Sequence, residues 1–119
     1  MAGLAAIIDP RATRGRGPMA LVFVRVWEYE VPTAQVSAFM AAYGPDGDWS
    51  RLFGTADGYL GTSLYRSTDA SGRFLTVDRW RGEASWRAFL ARFRPAYEAL
   101  DAELAHLANG GHLLLEGNG

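Results

Sequence analysis

The sequence predicts an α+β domain in which a four-stranded antiparallel sheet carries helices on one face. Two observations point there. Strand-like and helix-like segments alternate in the order strand, helix, strand, strand, helix, strand. Turn signals built from Gly, Pro, Asp and Asn punctuate them: Gly44-Pro45, Asp57-Gly58, Asp69–Gly72 and Asn109–Gly111.

Residues 1–18 stand apart. Leu4–Ile8 is apolar, Asp9-Pro10 breaks the run, and Arg11, Arg14 and Arg16 follow among glycines. They read as an N-terminal extension, and residues 19–119 as the folded domain. Leu21–Val31 is the first strand, because Val, Phe, Tyr and Trp suit a pleated, half-buried surface. Period two puts Phe23, Arg25, Trp27 and Tyr29 on one face and Val22, Val24, Val26, Glu28 and Glu30 on the other. Pro32-Thr33 opens a helix, with Thr33 as its expected cap. Val36, Phe39, Met40 and Tyr43 then form one apolar stripe, ended by Gly44-Pro45. Asp46 or Asp48 can cap a short second helix, Trp49–Phe53, closed by Gly54.

Tyr59–Ser67 is the second strand, and the Asp69–Gly72 loop leads into the third, Arg73–Trp80. The last helix carries Trp86, Leu90, Phe93, Tyr97, Leu100, Leu104 and Leu107 along one seam. Pro95 interrupts it. A proline lacks the amide proton and clashes with the preceding turn, so a bend is expected near Phe93–Pro95. His112–Glu116 completes the set as an edge strand. This order is the split βαβ, ferredoxin-like pattern. Its two helices can cover one sheet face only, yet the strands are apolar on both. Tyr59, Tyr65, Phe74 and Trp80 extend the first face, and Leu60, Leu64, Leu75 and Val77 the second. An uncovered apolar face of that size predicts a partner, most economically a second copy packed sheet to sheet.

Composition excludes several functions. A net charge of −1 argues against nucleic-acid binding, and the third strand, RFLTVDRW, lacks the glycines of an RNA-recognition strand. No apolar run approaches the roughly 20 residues of a membrane span. Without cysteine there is no disulfide or thiolate metal site, and the cytoplasm is the default compartment. His106 and His112 lack a third ligand at metal-binding spacing, so no metal is expected; His106 reads as a helix-end residue near the last carbonyls.

The strand-end tryptophan followed by an aromatic-rich helix, VDRWRGEASWRAFLARF, together with YGPDGDWSRLF and GYLGTSLYR, resembles the antibiotic biosynthesis monooxygenase family of dimeric α/β-barrel proteins. The resemblance covers about residues 19–117. It implies a homodimer with one cleft per subunit between sheet and helices, and a family that includes cofactor-free oxygenases acting on aromatic polyketides. Trp80 matches the family's tryptophan at the end of the third strand. Trp27 and Tyr97 fall where the haem-degrading branch has an asparagine and a histidine, which speaks against haem degradation.

The residues themselves suggest matching chemistry. A cofactor-free oxygenase needs a dry pocket for a flat, electron-rich molecule, a proton acceptor and a group that stabilises the developing anion. Asp78, Arg25 and Trp80 are the expected catalytic residues, and Trp27, Tyr29, Tyr65, Phe74 and Tyr97 the expected substrate contacts. Asp78 on an aromatic face would have a raised pKa and serve as base. The plainer alternative is that Arg25 pairs with Asp78 and the aromatics are packing. Two functions follow: a cofactor-independent monooxygenase for a small aromatic, polyketide-like or quinone-type compound, or a non-catalytic dimeric binding or assembly module.

Overall fold

The computed structural model describes residues 21–119, so the N-terminal extension lies outside the described residues. The chain runs through β1 (Phe23–Glu30), a 3-10 turn, α1 (Val36–Tyr43), α2 (Asp48–Phe53), β2 (Tyr59–Arg66), β3 (Arg73–Trp80), α3 (Glu83–Leu104), a second 3-10 turn and β4 (Gly111–Asn118). All strand pairs are antiparallel, in the order β2-β3-β1-β4. This is the expected ferredoxin-like βαββαβ fold.

The helices lie on the face that carries Phe23, Arg25, Phe74, Thr76, Asp78 and Trp80, all buried. Large rings fill the layer between. Phe39 stacks on Tyr43 at 4.2 Å between ring centres, and Phe53 meets Trp80, Trp86 and Phe89 edge-on or tilted. Such aromatic pairs each contribute roughly 0.5–1.5 kcal/mol beyond area burial. α1 buries Phe39, Ala42 and Tyr43, whereas Met40, expected in the same stripe, is exposed. Its first turn is 3-10, Thr33–Gln35, and Thr33 makes no cap bond; the Pro32 geometry starts the turn instead. α2 likewise begins after Gly47 without a side-chain cap, and Asp48 pairs with Arg51 within it.

α3 is broken where Pro95 demands it. Phe93 leaves helical geometry at φ −118°, ψ 20°, two residues before the proline. Trp86 and Phe89 are buried ahead of the break, and Leu104 closes the far end.

Gly61 changes the strand parity expected from the sequence. Its φ of +135° suits glycine, and the register slips between Tyr59 and Gly61. Tyr59 pairs with Trp80 on the helix side, but after the bulge it is Thr62 and Leu64 that lie there, opposite Asp78 and Thr76. Tyr65 therefore sits on the other face, 53% exposed. That outer face also presents Leu115, with Val24, Val26, Leu75 and Val77 half-buried.

Candidate functional site

A cavity of about 360 Å³ lies between the sheet and the helices. β1 lines it with Arg25, Trp27 and Tyr29, β2 with Thr62, and β3 with Thr76 and Asp78. Tyr43, Trp49 and Phe53 close one side, and Tyr97 and Asp101 from the second half of α3 roof it. Strand register explains the cluster at its floor. Asp78 on β3 and Glu116 on β4 flank Arg25 of β1 at the same level, while Thr62 stands across from Asp78.

Arg25 does not pair directly with Asp78. Its Nε donates to Glu116 Oε2 at 2.7 Å, and its guanidinium lies 4.1 Å from the centre of the Trp86 ring. Cation–π contact and a charge-assisted hydrogen bond together fix the plane of that guanidinium. Asp78 is 7% exposed and accepts a hydrogen bond from Thr62 Oγ1 at 2.7 Å. Burial pushes its pKa up to about 6, against the opposing pull of the Thr62 hydroxyl and the Arg25 and Arg79 charges. It is thus a carboxylate poised near neutrality at the floor of a cavity with six aromatic residues in its walls. Burial also raises the pKa values of the Tyr29, Tyr43 and Tyr59 phenols, which keeps them neutral hydrogen-bonding groups at physiological pH. At Tyr43 the Trp49 indole opposes that rise without closing a hydrogen bond; Trp49 Nε1 is buried and unpartnered among the described residues. An acceptor atom on a bound molecule would satisfy such a donor.

Five of the eight residues expected from the sequence meet in this cavity: Arg25, Asp78, Trp27, Tyr29 and Tyr97. Three do not. Trp80, expected as a catalytic residue, is fully buried among Phe53, Tyr59, Trp86 and Phe89. Phe74 is buried against Phe39 nearer the other end of the sheet. Tyr65 is on the opposite face because of the bulge. Sequence reading missed Thr62, Trp49 and Tyr43. The signal for Thr62 was Gly61 within a strand pattern, a mark of a bulge. His106 Nδ1 lies 3.1 Å from the Glu103 carbonyl, the helix-end contact expected of it. Among the described residues no group of three His, Asp or Glu side chains is placed to hold a metal ion, and no helix is long and apolar enough to cross a membrane.

The family model for antibiotic biosynthesis monooxygenases matches residues 22–103, a span that takes in the sheet through β3 and nearly all of α3. The chain belongs to this family. Similar folds occur in solved structures at low identity. A Nitrosomonas europaea protein provisionally named an antibiotic biosynthesis monooxygenase aligns over 82% of this chain and 89% of its own, with 16% identity and a TM-score of 0.60. SnoaB from Streptomyces nogalater, a cofactor-independent oxygenase, aligns in a point-mutant form over 84% and 91%, with 20% identity and a TM-score of 0.53. A Bacteroides thetaiotaomicron protein of unknown function covers 85% and 99%, at 15% identity and a TM-score of 0.53. No curated protein matches the sequence. At these identities the family's fold carries over to this chain, and its activity is a separate matter.

Proposed function

We propose that the protein is a cofactor-independent monooxygenase acting on a small, flat aromatic compound of polyketide or quinone type. The observation that carries this reading is the placement of Asp78: a buried carboxylate, its pKa pushed up to about 6 by that burial, at the floor of a cavity walled by Trp27, Tyr29, Tyr43, Trp49 and Tyr97. As base, Asp78 takes a proton from the bound substrate. Arg25, held in place by Glu116 and Trp86, faces the charge that develops on the substrate oxygen. The electron-rich anion then reacts with O2: one oxygen atom stays on the ring, and the other leaves as water with the proton held by Asp78 and a second hydrogen from the substrate. Trp80 has no direct part in this scheme; it supports the wall behind the cavity.

In this reading the protein works as a homodimer. The outward sheet face, with Tyr65 and Leu115 more than half exposed, supports a second copy there, and a standard interface buries roughly 1,600 Å² in total.

Oxygen uptake with anthrone-type and hydroquinone-type substrates tests the assignment. Asp78→Asn should slow turnover about 10²–10⁴-fold, the range for removal of a general base. kcat/KM should rise with pH through about 6 as Asp78 ionises. One observation favours the alternative, a binding module without turnover: Arg25 already shares its charge with Glu116. Tight binding of such compounds with no oxygen uptake would establish that alternative.

A further inference from the structure

A chain of hydroxyl groups leads away from Asp78 through the wall of the site. Thr62 Oγ1 donates to Asp78 Oδ1 at 2.7 Å. The Tyr59 hydroxyl is hydrogen-bonded to the same Thr62 oxygen at 2.5 Å and reaches Ser50 Oγ at 3.2 Å. Ser50 in turn donates to the Gly44 carbonyl at 3.0 Å. The far end of this chain opens on a second, smaller cleft lined by Pro45, Asp46, Ser50, Arg51, Tyr59 and Gly61, which shares no lining residue with the first. We propose that Thr62, Tyr59 and Ser50 are a proton relay that connects Asp78 to this outer cleft.

The need for such a path follows from the proposed function, on which the relay's use in turnover rests. Asp78 is almost completely buried, and a flat ligand seated over it would exclude water from the cavity. The proton taken from the substrate is consumed when the departing oxygen becomes water, so the path serves another proton: one still on Asp78 when the ligand closes over it, which has no exit on the ligand's side and must leave before Asp78 can act as base. Across the wall it has one. Asp78 passes its proton to Thr62 Oγ1, Thr62 passes its own to the Tyr59 oxygen, and Tyr59 releases its proton to water in the outer cleft, directly or through Ser50. One proton leaves, each hydroxyl ends with the proton it receives, and no group in the chain is left charged except the carboxylate. Rotation of the hydroxyls resets the chain. Burial keeps the Tyr59 phenol neutral, so it relays a proton without trapping the charge.

The bulge at Gly61 makes this alignment. Without it Thr62 would face the opposite side of the sheet, and Asp78 would have no hydroxyl neighbour on β2. The charged and titratable groups that face Asp78 are Arg25 and Tyr29 from β1, Tyr59 from β2 and Arg79 beside it on β3, with Tyr97 and Asp101 across the cavity. Among the described residues none of them hydrogen-bonds to the Thr62 hydroxyl except Tyr59.

Carboxyl-carbon NMR of Asp78, followed through its titration, tests the relay without requiring turnover. The cavity is filled with 2-naphthol, and in a parallel series it is filled by the protein itself with Ala108→Trp. Wild-type Asp78 should show one averaged resonance whether the cavity is empty or filled. In Thr62→Val and Tyr59→Phe the averaging should survive in the empty cavity and be lost in the filled one, where protonated and ionised forms give separate signals. Thr62→Ser should restore averaging. A purely structural role for these hydroxyls would lower the melting temperature and leave proton exchange untouched. Equal averaging in wild type and both variants with the cavity filled would overturn the relay. Failure of 2-naphthol to bind would count against the proposed function alone, since the Ala108→Trp series decides the relay independently.

Discussion

Replacing Asp78 with asparagine should make the protein more stable at neutral and alkaline pH while removing the proposed base. Burial raises the folded-state pKa from 3.8 to about 6. Between these values the folded protein binds more protons than the unfolded chain, so stability falls as pH rises. Sign and window follow directly. Below about 3.8 the carboxyl is neutral in both states and nothing is lost; above about 6 the full penalty of a buried charge is present. A displacement of about two pKa units corresponds to roughly 3 kcal/mol, an order-of-magnitude figure. Asparagine is nearly isosteric, its oxygen can still accept the Thr62 hydroxyl, and it carries no charge at any pH. Urea denaturation at fixed protein concentration should therefore show Asp78→Asn close to wild type near pH 4. It should exceed wild type by roughly 1–3 kcal/mol near pH 8. A difference that does not change with pH would refute the reasoning, as would a variant less stable than wild type under alkaline conditions. Stability gained together with activity lost is also what separates a functional carboxylate from a structural one.

Other substitutions probe the remaining features. Trp80→Ala should cost about 3–5 kcal/mol in thermal or chemical denaturation, as for other buried aromatics. Trp80→Phe should cost less, because the indole N–H it removes has no partner among the described residues, and weakened binding of an aromatic ligand in that variant would show that Trp80 belongs to the site after all. Tyr65→Asp places a charge on the outward sheet face; sedimentation should show loss of the proposed dimer, with unfolding if the monomer cannot stand alone. Gly61→Ala meets no neighbouring atom but must hold φ near +135°, so it should cost about 1–3 kcal/mol from backbone strain alone. A neutral effect there would mean the bulge is not fixed by Gly61.

The fold was legible because its signals are local. Pro95 disrupts its helix through chemistry that no tertiary contact can repair, and the break appears at Phe93 as expected. The turn residues and apolar periods likewise placed each element within a few residues. The site was legible where strand parity ran undisturbed, along β1 and β3, which supply Arg25, Trp27, Tyr29 and Asp78. It failed at β2, where one extra residue reversed the faces and exchanged Tyr65 for Thr62. Trp80 was misplaced for another reason. A large ring at a strand end suits a cavity rim and a core equally well, and the rings of Phe53 and Phe89, on two different helices, decided for the core. Met40 fell outside the core because Phe39, Ala42 and Tyr43 set the buried side of α1, and Met40 lies away from it.

The break in α3 divides that helix into two pieces with different attachments. Ahead of Phe93, Trp86 and Phe89 anchor the first piece among buried rings. Beyond it, residues 94–103 are at most half-buried, Leu104 at the end of the helix is the one buried residue of that piece, and Tyr97 and Asp101 rest over the cavity. A continuous helix would have to unseat its anchored half to lift the other. The interrupted one can open as a small unit of its own, at a fraction of the free energy of global unfolding. Amide protons of residues 97–103 should then exchange with solvent well before those of residues 86–91. The roof would be the part of the molecule that opens to admit a ligand, while the floor bearing Asp78 and Arg25 stays still.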